Sequence, residues 1–194
     1  MASKACRLKI LHAKQIVTVV NDGRRYLTGK AADAVAVIED GGMVVGSDGN
    51  ILMVGPSAEV EAASASMTAD TFVDGTAQDL CVLPGFVDAH THPVWAGDRC
   101  HEFHIKLAGA TYTEVAAMGG GIGFTTRHTK AASEDDLLRS LEERIDRMTR
   151  LGTTTVEAKS GYGLETETEM KMLRVIHRAK ATRVAQAQHA AILK

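Results

Sequence analysis

Apolar and polar residues alternate through the first part of the chain in short runs cut by turn-forming residues: "LKILHAKQIVTVV", "AVAVIEDGGMVVGSDGNILMVG" and "TFVDG". Period-two alternation bounded by Gly, Asp and Ser predicts β-strands, expected to pair antiparallel from Leu8 to about Asp74. Ser47-Asp48-Gly49, between "MVVG" and "NILMVG", predicts a tight hairpin in which the Asp-Gly pair takes up the positive φ angles. The Ala- and Glu-rich segment from Pro56 to Ala69 predicts a short helix, and the apolar run "CVLPGFVDA" follows "VDGTAQDL".

Beyond His92 the period changes, and the chain reads as loop, helix, strand, helix. Ser133 is a helix N-cap with Asp136 three residues on, and Leu137, Leu138, Leu141, Ile145, Met148 and Leu151 recur at helical spacing until Gly152 ends the run. "TTTVEAKS" predicts a strand. After the Gly161-Tyr162-Gly163 turn, Glu165, Glu167 and Glu169 open a second helix, with an apolar stripe read as Met170, Leu173, Ile176 and Ala179 and basic residues toward its end. Strand, helix, strand, helix is the rhythm of a parallel α/β domain.

The length of 194 residues allows one large domain or two small ones. With 22 basic and 24 acidic residues and a formal charge of -2, the chain has no excess of either sign to attract nucleic acid or an anionic membrane surface. The partner this composition favours is a small molecule, and a homo-oligomer stays open. The residues are 45% hydrophobic, yet no apolar run approaches the ~20 that a bilayer crossing takes, and the N-terminus has no continuous signal-type core. Cys6, Cys81 and Cys100 are too few and too scattered for a disulfide framework or a zinc knuckle, which points to a reducing, cytoplasmic setting.

His90 and His92 end the apolar run. Residues two apart in a strand share a face, about 6.6 Å apart at ~3.3 Å per residue, so both imidazoles can converge on one ion, and nitrogen donors suit zinc or iron. A bare His-x-His is also met as two packed histidines donating to carbonyls. Pro84-Gly85 before the run, Asp88 two residues upstream and Arg99 beyond it add a pattern that packing alone does not need.

"LPGFVDAHTHP" resembles the opening motif of the metal-dependent amidohydrolases. The longer series "PGFVDAHTHPVWAGDR", "HEF", "KLAGATY", "GGGI" and "VEAKSGYGLETETEMKMLRVI" resembles the imidazolonepropionase family in particular, over roughly Ile38 to Ala179. The resemblance implies an α/β fold, a TIM-like barrel joined to a small β-sandwich. Residues 1–82 would belong to the sandwich, and 83–194 to the first βα units of an incomplete (β/α)8 barrel. It implies hydrolysis of 4-imidazolone-5-propanoate to N-formimidoyl-L-glutamate in histidine degradation, with one zinc or iron ion held in part by His90 and His92. It implies Arg99 as the contact to the propanoate carboxylate, for which a guanidinium's paired donors are suited, Tyr162 as a substrate contact, and Tyr112 as a weaker match of the same kind. Without the motif, Arg99 reads as a surface ion pair and Tyr112 as an ordinary half-buried tyrosine.

Other features have plainer readings. "HEFH" spaces its histidines one residue too closely for the His-Glu-x-x-His of metalloproteases, so His101 and His104 are read as structural or surface. "GGGIG" lacks the lysine of a phosphate loop and is expected to be a mobile loop near the substrate. Glu157 and Lys159 share a strand face. A carboxylated Lys159 bridging two metals, as in dihydroorotases and hydantoinases, ranks below a mononuclear site. His12, His128, His177 and His189 have no companions at ligand spacing. A closed barrel takes ~200 residues or more, so the stretch from Leu83 to Lys194 is expected to hold about two of eight units, without the family's remaining ligands or its general base. A truncated, inactive hydrolase is the expectation, and the alternative is a non-catalytic fragment acting through contacts.

Overall fold

The N-terminal sheet is organised around one long strand, β1 (Lys4–Val19), which pairs with three others. In the computed structural model, residues 4–187 are described except 21, 22 and 25. His189 lies outside them. The chain divides into two compact units, Met1–Pro84 and Gly85–Lys194.

In the first unit β2 (Ala36–Gly46) pairs antiparallel with β1, and β3 (Ile51–Pro56) pairs antiparallel with β2. The hairpin between β2 and β3 forms at Ser47-Asp48-Gly49, as its sequence signals. Gly49 N–H bonds Gly46 O at 2.9 Å, and of the Asp-Gly pair Gly49 alone has positive φ, at 84°. This is a type I turn closed by a left-handed glycine, so Asp48 is free to accept the Asn50 N–H at 3.0 Å.

The expected all-antiparallel sheet is mixed instead. Helix α1 (Ser57–Ala63), half the length its Ala and Glu content suggests, carries the chain back across the sheet, so β4 (Met67–Asp74) and the two-residue β5 (Cys81–Val82) run parallel to β1. Cys6, Leu11, Val44 and Val60 are buried between α1 and the sheet.

The second unit holds a parallel pair, β6 (Phe86–Thr91) and β7 (Thr153–Ala158), which runs from Phe86↔Thr153 to Thr91↔Ala158 with register shifts between Phe86 and Val87 and between Asp88 and Thr91. Four helices separate them where one was expected: α2 (Cys100–Leu107), α3 (Tyr112–Ala117), α4 (Gly121–Ala131) and α5 (Glu134–Arg150). The stretch "GGGIG" is therefore a turn and a helix start, not a loop. Its physical reason is a carboxylate, Glu102, which accepts the Gly121 N–H at 2.9 Å and so satisfies the new helix's first turn.

Helix α5 begins at Ser133 as its sequence indicates, with Ser133 Oγ accepting the Asp136 N–H at 3.1 Å, and buries Leu137 and Leu141. These pack on Val94 and on α6 (Thr166–Ala187). The buried stripe of α6 is Met172, Val175 and Ala179, with Ile176 beside it; Met170 and Leu173 are exposed. The expected stripe is thus turned about the helix axis, because Lys171 is drawn toward the end of α4, where its Nζ donates to the carbonyls of Thr129, Lys130 and Ala132 at 2.8–2.9 Å.

Candidate active site

Parallel strands carry their C-terminal ends to the same side of a sheet, so the residues after β6 and after β7 meet. Lys159 N–H continues the ladder to Thr91 O at 2.9 Å. His92, one residue beyond β6, donates from Nδ1 to Ser160 O at 2.6 Å, because a carbonyl can only accept. Its ring meets that of His90 edge-on at 5.7 Å and that of Tyr162 at 5.9 Å. The two histidines come together as their spacing indicates, although the strand has ended before the second.

Lys159 Nζ lies 2.6 Å from His90 Nδ1 and 3.3 Å from Glu157 Oε2. Asp88 is turned back on the backbone, its Oδ1 accepting the His90 N–H at 3.1 Å. The donor chemistry of His92 fits a metal ion: with Nδ1–H engaged, Nε2 presents a lone pair. Among the described residues no group of three His, Cys, Asp or Glu side chains is placed to hold one.

A strap from Pro93 to Arg99 leads away from the histidines. Arg144 of α5 fixes it, donating to Pro93 O at 2.9 Å and Trp95 O at 3.0 Å, with its guanidinium 3.7 Å from the centre of the Trp95 ring. Thr129 of α4 accepts the Ala96 N–H at 3.0 Å. The strap borders a cavity of about 270 Å³ lined by Trp95, Gly97, Arg99, Thr125 and Tyr162. Arg99 and Tyr162 are thus brought to one place. Tyr112, at the start of α3, is 64% exposed and is not part of that lining.

Arg99 donates from Nε and Nη2 to the two carboxylate oxygens of Glu102 at 2.9 and 2.8 Å. Glu102 is 3% exposed. The Arg99 hydrogen bonds hold its carboxyl below the usual glutamate range against the opposing effect of burial, with help from the Gly121 amide. The same pair raises Arg99, to which Tyr162 and Tyr112 add smaller contributions.

After β7, the loop that presents Tyr162 is tied by Glu169, whose Oε1 accepts the N–H groups of Gly163 and Leu164 at 2.7 and 2.8 Å. His101 and His104 lie exposed on α2, and His128 stacks on Phe124 at 3.9 Å. Sequence reasoning missed Glu102, Trp95, Thr125, Arg144 and Glu169. A signal existed for Glu102, an acid three residues after Arg99 at helical spacing, and for Trp95, the single tryptophan, set between two candidate site residues.

Polar side chains converging beyond the C-terminal ends of parallel strands mark an α/β protein with a candidate site in the position usual for that class. No family model matches the chain. It is 52% identical over 180 residues to a Danio rerio protein, 53% identical over 174 residues to a Mus musculus protein and 50% identical over 173 residues to a Dictyostelium discoideum protein. Each carries the name "Probable imidazolonepropionase". The matches cover 93%, 90% and 89% of this chain and 41%, 40% and 40% of the relatives. The chain is homologous to the N-terminal part of the imidazolonepropionases and spans about two-fifths of their length.

Proposed function

We propose that this chain supplies the N-terminal part of an imidazolonepropionase-type hydrolase, which opens 4-imidazolone-5-propanoate with water to N-formimidoyl-L-glutamate. In that reaction the ring C–N bond at the carbonyl breaks, the carbon becomes a carboxylate and the nitrogen takes a proton. On this reading residues 1–82 are part of a β-sandwich and 83–194 are the first βα units of a TIM-like barrel. The observation that carries the proposal is the meeting of His90, His92 and Tyr162 at the ends of β6 and β7 in a chain half identical to those relatives.

His90 and His92 would hold one zinc or iron ion, with His92 Nε2 already freed by the Ser160 carbonyl. A metal so held supplies an activated water and polarises a carbonyl. Arg99 would take the propanoate carboxylate, Tyr162 would pack on the ring from the loop after β7, and Tyr112 would close over the ligand from α3. No general base is assigned within this chain. Three free cysteines fit a cytoplasmic setting, and among the described residues no helix is long and apolar enough to cross a membrane.

A chimera joining this chain to the C-terminal three-fifths of the Danio rerio relative tests the reading. Metal-dependent loss of the imidazolone absorbance is expected, abolished in His92→Ala, while Arg99→Ala raises KM about tenfold or more with kcat little changed. Turnover indifferent to His92, or equal losses confined to kcat in both variants, would refute these roles.

A further inference from the structure

We propose that Glu102 is the positioning residue of this site: it holds Arg99 by one edge of the guanidinium and thereby presents the other edge to a ligand carboxylate. The inference rests on the reading of Arg99 as a carboxylate contact.

A guanidinium offers two parallel pairs of donors, one from Nε with one Nη and one from the two Nη groups. Glu102 takes the first pair, through Nε and Nη2. Among the described residues no hydrogen bond engages Nη1, and the arginine lines the cavity of about 270 Å³ beside Trp95 and Tyr162. The end-on pair is therefore the edge left for a ligand.

Glu102 cannot swing aside to compete for that place. Its side chain is 4% exposed, and Oε1 also accepts the Gly121 N–H at 2.9 Å. The turn ahead of that amide is close-packed, since a Cβ on Gly120 would fall 2.9 Å from Oε1 and 2.8 Å from the Val115 carbonyl oxygen. One carboxylate thus joins the first turn of α2 to the first turn of α4, which also supplies Thr125 to the cavity wall. The ion pair is neutral, so a carboxylate would be selected here by donor geometry more than by net charge. Removing Glu102 would leave a more positive site with a freely rotating arginine. A competitor's loss would tighten carboxylate binding; a positioner's loss weakens it.

Trp95 is the only tryptophan and borders the cavity, so its fluorescence reports occupancy in the 194-residue chain. The probes are imidazole-4-propanoate and its primary amide, which differ only in the carboxylate. The wild-type chain is expected to bind the acid about tenfold more tightly than the amide, as a charge-assisted bidentate pair warrants. Glu102→Gln should reduce that preference to about threefold or less and leave the amide unchanged, because the amide nitrogen of glutamine opposes Nη2 donor to donor. Glu102→Ala should do the same. Loss of the acid preference in Arg99→Ala is required by the underlying reading, and a wild-type chain with no preference overturns that reading and the inference together. An intact or increased preference in both Glu102 variants, with Arg99→Ala still losing it, overturns the inference alone.

A measurement that needs neither ligand nor substitution at Glu102 supports the same decision. In the ¹⁵N-labelled wild-type chain the Arg99 Nε–H, identified by its loss in Arg99→Lys, is expected to be downfield and slow to exchange. A fast-exchanging Arg99 Nε–H would overturn the proposal even if the Glu102 variants do not fold.

Discussion

The carbonyl oxygen of Ser160 and the Nδ1 of His92 are joined across the ends of two parallel strands at 2.6 Å. This contact selects the tautomer in which Nε2 carries the lone pair, so a residue just beyond the second strand sets which ring nitrogen is left free on a residue just beyond the first.

Zinc should nevertheless be held only weakly by the chain alone. Two imidazoles fill half of a four-coordinate shell, and no third donor joins them among the described residues. Metal analysis after dialysis is expected to find far less than one equivalent. A full equivalent retained by the wild type and lost in His90→Ala would contradict this.

Gly161→Ala should disturb His92 from the far side of the same contact. Gly161 has φ +148°, and an added Cβ would sit 2.7 Å from His92 Nδ1. Backbone strain of about 1–3 kcal/mol is expected from the φ angle alone, together with a loosened ring that weakens cobalt or zinc binding further. Urea denaturation and metal titration measure the two effects; a variant unchanged in both would show that the loop gives way at no cost.

Arg144→Ala should destabilise the second unit by about 2–4 kcal/mol, from two charge-assisted bonds to carbonyls and the contact with Trp95. Arg144→Lys is expected to recover less than half of this, since an ammonium cannot reproduce the planar fork. The urea midpoint followed by Trp95 fluorescence reads both, and full recovery with lysine would refute the fork as the cause.

Acid should loosen the loop that presents Tyr162. Burial pushes the Glu169 carboxyl up, but Ser160 and the amides of Leu164, Gly163 and Gly161 outweigh it and hold the group below the ordinary glutamate range. A lowered folded-state pKa contributes stability that is present above the unfolded value, about 4.3, and is lost as pH falls through the folded value. Glu169→Gln should therefore lower the urea midpoint at pH 7 and flatten its decline in acid. Parallel curves for the two proteins would exclude Glu169 as the titrating group.

The elements that were legible in the sequence are those fixed by local chemistry. Asp48-Gly49 closes its hairpin with bonds to near neighbours, and Ser133 caps its helix within one turn. The short helices α2 and α3 were less visible because six to eight residues carry little periodic signal, although Thr111 and Glu114 form a capping box that the string "TYTE" spells out. The parallel pairing of β1 with β4 depends on where α1 returns the chain, which no local pattern encodes. Of the candidate site, the histidines could be found by spacing and Arg99 and Tyr162 by resemblance. Glu102 carried a local signal, an acid three residues after Arg99, but its second partner, the amide of Gly121 nineteen residues further on, is brought to it only by the fold.

The three-sided pairing of β1 has a consequence for synthesis. Of the described strands β1 is made first, yet its partners arrive in instalments, and the last, Gln15↔Cys81 and Ile16↔Val82, cannot form until the far end of the unit has been translated. A strand rich in Val, Ile and Leu thus waits with open backbone donors and acceptors while most of its own unit is still being built. On a ribosome the first unit is least protected at the strand that later becomes its centre, so slow translation between β3 and β5 would lengthen the interval in which a nascent chain needs shielding.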